Sequence, residues 1–576
     1  MKNKNNITYQ FLIILIIVFV SIFSMTVFLK NTLNGNINHH ILPGEMFGVP
    51  SELSKKGLTP LYYGQGQTGW DGQFYYYMSN DIFALKDTDQ HVDANAYRYQ
   101  RIGLSLWSAI LSIITLQSWV SPTMYYFSNL LIMLIATWCG IRLLNLYKIN
   151  SAWILCWSLG VGTQVTILNG LPDAAADSFL IIGLYSLLTQ RKSIAFVAMT
   201  FAALSREAYI LFPIFIGIFQ SLSHAKSQSQ KNLARVILNW TFSLQAVPYV
   251  IVGLIFIAWH IYIRLHFNVS PSSQAHGVLG LPFVEWWKAM TSGLLGSHYL
   301  VPAGLPSIRE GVALLCFIFL LAVVFLLALK FVFLESSASY VIRGFALALI
   351  PLCIMYACFG KTVIMHYTGY LKAANLFLFA VPFLASIQNG RKLYIVSISV
   401  VLFILIFSNY YLWVDRILPH ANPGYSRYTN RSNAALVKTP LEKLDSFDVG
   451  IKIQRIEKHI PSGIVQKMLG NNFEVFHVLL LNKSTNSFAS CLGAGSVNMS
   501  YHILSHDGMT VVKDGIRTIL PNPLATGASV ELPVVVEYPS HPGKYILRFS
   551  PVQEGNVWFY NANSESKLDF PFEIVN

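Results

Sequence analysis

The chain has 576 residues, 54% hydrophobic and only 12% charged, with a mean hydropathy of +0.50; soluble domains carry about a quarter charged residues, so a polytopic membrane protein is expected. The net charge of +13 would suit nucleic acid, but Lys and Arg are scattered over short loops between apolar runs, where they set membrane orientation; nucleic acid is set aside as a partner. Five of the six cysteines fall inside apolar runs and only Cys491 in a polar region, so no disulfide framework is expected.

Lys2 and Lys4 precede an apolar run from Phe11 to Leu29. The run lacks a small-residue cleavage site and is too long for a signal-peptide core, so it reads as an uncleaved first span. A polar loop from Lys30 to Arg101 follows and contains GWDGQFYYYMSNDIF, residues 69 to 83. Gly64, Gly66 and Gly69 allow sharp turns before Asp71, and Gly72 removes a side chain that would shield its carboxylate. Gln73, Tyr75, Tyr76 and Tyr77 come next, then Asp81, and AYRYQR brings Arg98 and Arg101 to the start of the next apolar run. Aromatic rings stack on the apolar faces of sugars, a carboxylate accepts hydroxyl protons, and Arg at a membrane surface suits phosphate. The plainer alternative is an interfacial aromatic belt with Asp71 as a turn former.

Further apolar runs lie near 102 to 119, 124 to 146, 151 to 170, 172 to 189, 245 to 263, 311 to 334, 343 to 359, 373 to 388 and 393 to 414. Each reaches or approaches the roughly 20 helical residues needed to cross a bilayer. Between 193 and 222 two short arms meet at Ser205, Arg206 and Glu207, with Arg191 and Lys192 before them and Lys226, Lys231 and Arg235 after. Both ends read as cytoplasmic, so the charged tip lies within or near the far side of the bilayer and must face protein or water. An intramembrane Arg206–Glu207 pair is a functional hypothesis, with a structural lock on the hairpin as its rival.

Taking Asn389 to Lys392 as inside as well, the last span delivers everything after Asp415 to the outside, and the 31 to 101 loop is outside too. Arg142 and Lys148 look cytoplasmic, which conflicts in parity unless 102 to 119 is not a simple span. Asp173 and Asp177, four apart on one helix face, form another acidic element, with solvated helix-end residues or a cap behind Pro172 as alternatives. His366, Tyr367, Tyr370 and Lys372 lie outside before the 373 to 388 run. Glu285-Trp286-Trp287-Lys288 reads as an amphipathic interfacial segment whose Trp pair is an anchor.

After Asp415 a mixed, partly helical linker runs to about Gly470. Alternating apolar positions then appear in FEVFHVLLLN, SVNMSYHIL, ASVELPVVVEY and GKYILRFSPVQEGNVWFY, separated by turns such as His506-Asp507-Gly508 and His541-Pro542-Gly543. That pattern predicts an antiparallel β-sandwich over 471 to 576. No Walker loop, zincin helix, CxxC pair or nucleotide-binding GxGxxG occurs, which disfavours a nucleotide-driven pump.

GWDGQFYYYMSNDIF and AYRYQRIG, followed by LPDAAADSFLIIGLYSLLTQRK and AALSREAYILFP, resemble in order a group of bacterial polytopic glycosyltransferases of the C-type (GT-C) fold. The resemblance covers roughly the first 220 residues. It implies a helical membrane domain of about 11–13 helices over 1 to 414 in the bacterial inner membrane, with a polyprenyl-phosphate-sugar donor and a glycan or lipid acceptor. By position, Asp71 resembles the general base and Arg206 a donor-phosphate ligand, with Arg98 and Arg101 as secondary candidates. Some branches of the fold carry paired acids where this chain has one, which leaves use of a divalent metal open. The stretch from Val497 to Tyr560, with GIRT at 515 to 518 and PVQEG at 551 to 555, resembles a β-sandwich module found beside glycan-assembly enzymes. Glycan or partner binding is one reading of it; a packing cap with Trp558 in its core is the other.

The function expected is sugar transfer, Asp71 acting as a base with its pKa tuned by burial among Tyr and Phe. Candidates for donor or acceptor contact are Arg206, Glu207, Gln73, Tyr75, Tyr76, Arg98, Arg101, Asp173, Asp177, His366 and Lys372. A lipid-linked glycan transporter, a surface receptor and a polysaccharide polymerase or ligase are the alternatives.

Overall fold

The computed structural model describes residues 2–32, 36–60, 68–227, 243, 245–275, 277–294, 305–335, 338–387, 391–413, 417, 441–458, 473–491, 495–512, 515–539 and 541–574. Gly64, Gly66, Lys231, Arg235, Asn389, Asp514 and the 459–472 part of the expected linker lie outside them.

The amino-terminal three quarters is helical. In chain order its main helices are α1 (Lys2–Thr32), α2 (Gly72–Ser79), α3 (Gly103–Ile114), α4 (Pro122–Leu146), α5 (Asp173–Leu188), α6 (Lys192–Ser205) and α7 (Leu211–Ser227). Then come α8 (Val247–Phe267), α9 (Val284–Leu294), α10 (Leu305–Phe333), α11 (Tyr340–Ala357), α12 (Tyr367–Ala373), α13 (Phe377–Ile387) and α14 (Arg391–Leu412). Among the described residues six helices are long and apolar enough to cross a membrane, or up to eight if two bent pairs each count as one span.

Three expected runs differ from simple spans. The 102 to 119 run yields only the 12 residues of α3, about 18 Å of helix against a hydrocarbon layer of about 30 Å. The 151 to 170 run breaks into Ser151–Ser158 and Val161–Leu168, bent by 51°. The 373 to 388 run starts later, because α12 ends at Ala373 and α13 follows at 45° to it. The hairpin at 193 to 222 forms as two arms, α6 and α7, joined through a 3-10 turn at Glu207–Ile210.

α5 packs between α4 and α6, and α10 is flanked by α9, α11 and α14. Ala174, Ala175 and Ala176 are buried on α5, and small residues of this kind let membrane helices approach closely. One apolar core runs through the helical part from Ile13 to Ile417.

The carboxy-terminal part holds nine strands: β1 (Val449–Lys458), β2 (Phe473–Asn482), β3 (Val497–Ser505), β4 (Thr510–Val512), β5 (Thr518–Ile519), β6 (Ser529–Glu537), β7 (Gly543–Gln553), β8 (Val557–Trp558) and β9 (Leu568–Ile574). They make a three-stranded sheet, β1-β2-β6, and a six-stranded sheet with the path β4-β3-β7-β8, β5 pairing β3 and β9 pairing β7. All pairings are antiparallel. Phe476, Val478 and Val534 from one sheet and Met499, Tyr501 and Phe549 from the other share a single core. The expected linker thus ends earlier than Gly470, since β1 already pairs with β2 along nine positions. Trp558 is not in that core; it lies over the other face, its ring centroid 3.9 Å from that of His502, with Arg517 above it at 5.0 Å.

Candidate functional site

Asp71 sits at the amino end of α2 in helical conformation (φ −51°, ψ −27°) and its side chain makes no capping bond. Two glycines hold that position for steric reasons. Gly69 has φ +65° and lies against Leu42 and Gly44, so a Cβ there would fall 2.2 Å from the Leu42 carbonyl oxygen. A Cβ on Gly72 would lie 1.7 Å from the Asn169 carbonyl oxygen; the residue is glycine because two backbones meet there, not in order to bare the carboxylate. Gln73 is fully buried and ties the loop together, accepting from the Gly44 N–H at 2.8 Å and donating to the Thr68 carbonyl at 2.7 Å.

Arg98 and Arg101 flank the turn into α3. Arg98 donates to Asp71 Oδ1 at 3.0 Å and to both oxygens of Asp93 at 2.9 and 2.8 Å. Its guanidinium also stacks over Phe74 at 5.0 Å. Arg101 forms a two-pronged pair with Glu207 at 2.8 and 2.7 Å. The expected Arg206–Glu207 pair is therefore absent. Arg206 is extended (φ −152°, ψ 115°), so its side chain and that of Glu207 leave the chain in opposite directions. Glu207 turns to Arg101, whereas the buried Arg206 donates to the Ala373 carbonyl at the end of α12 and lies over the rings of Tyr209 and Tyr356, 5.4 and 5.3 Å away. The Tyr356 hydroxyl donates to the same carbonyl at 2.7 Å.

These residues surround one cavity of about 180 Å³. Asp71, Tyr75, Arg98, Arg101, Asp173, Arg206 and Lys372 all line it, joined by Tyr97, Leu171, Val278, Phe359, Thr362, Val363, Gly369 and Ala373. Asp71 is 47% exposed toward it and Arg98 only 10%. Burial pushes the Asp71 carboxyl up, but the guanidinium of Arg98, with Lys372 and Arg101, outweighs it and holds the group below the usual carboxylate range. This corrects the expectation of a carboxylate tuned by aromatic burial alone. Lys372 and Asp173 make no ion pair among the described residues.

Four candidates lie elsewhere. Tyr76 packs edge-on against Tyr125 inside the core. Asp177, one turn deeper than Asp173 on α5, accepts from the Trp157 indole at 3.0 Å and from the Tyr209 hydroxyl. Asp173 itself follows Pro172, and no side-chain cap closes that helix end. His366 caps α12 and stands 3.4 Å from the buried carboxylate of Glu310. Gln73 serves the loop, as described. Glu207 does not line the cavity but braces Arg101 at its wall. Tyr97 was within reach of sequence reasoning, since it sits between the aromatics and arginines already singled out; Val278, Phe359 and Thr362 carry no chemical signal. Among the described residues no group of three or more His, Cys, Asp or Glu side chains is arranged to hold a metal ion.

Comparison of the chain with known protein families, with curated proteins and with solved structures finds no match.

Proposed function

We propose that this chain is an integral membrane glycosyltransferase that moves a sugar from a polyprenyl-phosphate donor to an extracytoplasmic glycan or lipid acceptor. The observation that carries the reading is a single cavity with a carboxylate, Asp71, on one wall and two cations, Arg206 and Lys372, that face it without a carboxylate partner in ion-pair contact. The acceptor oxygen attacks the anomeric carbon and forms the new glycosidic bond. The bond from that carbon to the phosphate oxygen breaks, its electron pair leaves with the phosphate, and Asp71 takes the acceptor proton. Negative charge grows on the leaving phosphate in the transition state, where Arg206 and Lys372 act most strongly. Tyr75 and Tyr97 offer rings for the sugar face. Orientation follows the charge pattern, with the amino terminus cytoplasmic and the β-sheet part on the far side of the membrane.

A second reading draws on the ion pair itself. A carboxylate clamped by Arg98 and held below its usual range is a weaker base than one raised toward neutrality, which suits a lipid-linked glycan transporter that binds without catalysing. Asp71→Asn separates the two. In cells lacking the gene and restored with either form at matched protein levels, transfer of radiolabelled sugar from membrane lipid to surface glycan falls by about 100-fold in the variant if Asp71 is the base, and lipid-linked sugar accumulates. Transfer retained by the amide removes Asp71 as the base.

A further inference from the structure

The wall of the cavity that carries Val278 and Phe359 has a second face, turned away from the site. Residues 277–283 are stitched to the end of α11 and the chain after it by main-chain bonds: Gly280 N–H to the Cys358 carbonyl at 2.7 Å, Phe283 N–H to Ala357 at 2.8 Å, and Gly360 N–H back to Val278 at 2.8 Å. On the outward side of this seam and the start of α9, Leu279, Leu281, Phe283 and Trp287 are 56%, 72%, 53% and 65% exposed. Phe283 reaches that position with φ +61°, a conformation bulky residues rarely adopt.

Trp286, next to the exposed Trp287, is 1% exposed. It stacks on Phe317 of α10 at 4.6 Å and donates its indole N–H to the Tyr356 carbonyl of α11 at 3.1 Å. Those two contacts fix a level. α10 ends at Phe333 and α11 begins at Tyr340, so these two ends, linked by a short connection, share one side of the bundle. Phe317 and Tyr356 each stand sixteen residues from that side, about 24 Å at 1.5 Å per residue. The hydrocarbon layer is about 30 Å thick. Trp286 therefore stands within one helical turn or so of the opposite edge of that layer, and the four exposed apolar side chains stand with it.

We infer that residues 277–287 form an interfacial membrane contact, Leu279, Leu281, Phe283 and Trp287 entering the boundary between acyl chains and headgroups while Trp286 pins the segment to α10 and α11. The occupant of this surface is the lipid bilayer. Membrane-length helices precede and follow the segment, its level matches the edge of the hydrocarbon layer, and Trp is the residue favoured there. Glu285 and Lys288 pair with each other at 2.7 Å, so the segment brings no unpaired charge of its own to the lipid. The consequence for the cavity is positional: its Val278–Phe359 wall is backed by lipid, and a ligand with an anionic head and an apolar chain can keep the chain in the bilayer while the head reaches Arg206 and Lys372.

The test is membrane depth, read on the full chain in phosphatidylcholine–phosphatidylglycerol nanodiscs. Nitroxide labels are placed at Leu281→Cys and Trp287→Cys, with Met509→Cys, 70% exposed on the β-sheet part, as the aqueous reference and unsubstituted protein as the background of native cysteines. Collision with oxygen is expected to exceed collision with a water-soluble nickel chelate at 281 and 287, and the nickel accessibility there to be several-fold lower than at 509. Nickel accessibility equal to that at 509 overturns the inference, and so does protection from both reagents, which would mean that protein covers the patch. The readout needs no sugar transfer, so it stands or falls apart from the proposed enzymatic reading.

Discussion

The helical and β-sheet parts of this protein treat their charges in opposite ways. In the β-sheet part cations meet carboxylates. Arg517 donates to Glu554 at 2.8 Å, Arg548 and Asp569 form a fork at 2.7 and 2.8 Å, and His477 stands 3.0 Å from Glu531. Around the helical cavity the same rule holds for Arg98 and Arg101, then stops: Arg206 is held by a carbonyl and two rings, and Lys372 makes no ion pair among the described residues. Paired charges largely cancel each other's field, whereas unpaired ones inside a low-dielectric wall project it into the cavity. The difference separates charges that hold the protein together from charges that are available to a ligand.

Substitutions that erase this contrast rank by how much of the open field they remove. Arg206→Gln should have the largest effect, lowering kcat/KM for sugar transfer by about 100-fold, as loss of one preorganised donor to a developing anion does; an unchanged rate would place the leaving group elsewhere. Lys372→Gln should raise KM for the lipid-phosphate donor by about tenfold, or ~1.4 kcal/mol, with thermal stability unchanged because no partner is left behind. Arg98→Gln acts on pH. In the wild type Asp71 stays ionised as pH falls through the usual carboxylate value of about 4, so activity that needs the carboxylate persists to lower pH. Without Arg98 the burial effect gains ground, the pKa rises, and the acid limb of the pH–rate profile moves up by about one unit. The smallest effect belongs to Arg548→Gln, which opens an exposed pair worth about 0.2–1 kcal/mol; it should shift the unfolding midpoint slightly and leave transfer per folded molecule intact.

Much of this arrangement was legible in the chain. The FEVFHVLLLN stretch coincides with β2, and the residue types chosen for sugar and phosphate contact bring Asp71, Tyr75, Arg98, Arg101, Asp173, Arg206 and Lys372 to one cavity. What was not legible depended on direction and depth. Arg206 and Glu207 are neighbours in sequence, but an extended residue at the end of α6 sends them to different partners. Asp173 and Asp177 share a helix face, yet four residues are about 6 Å along the axis, enough to put one at the cavity and the other under Trp157 and Tyr209. β9 escaped because Pro571 interrupts its pattern; a proline is tolerated there since β9 pairs only with β7. In β1 a register shift between Ile453 and Arg455 breaks the alternation that would have marked it.

The bond from Arg206 to the Ala373 carbonyl has a bearing on how this site can change over time. The last carbonyls of a helix lack partners within it, and at the end of α12 one of them receives both Arg206 and the Tyr356 hydroxyl. Its acceptor belongs to the main chain, so no replacement of the residue 373 side chain removes it. Drift at that position can reshape the wall around a new sugar or acceptor while the guanidinium keeps its tether, a separation of anchoring from selectivity that lets specificity diverge without first losing the phosphate end of the site.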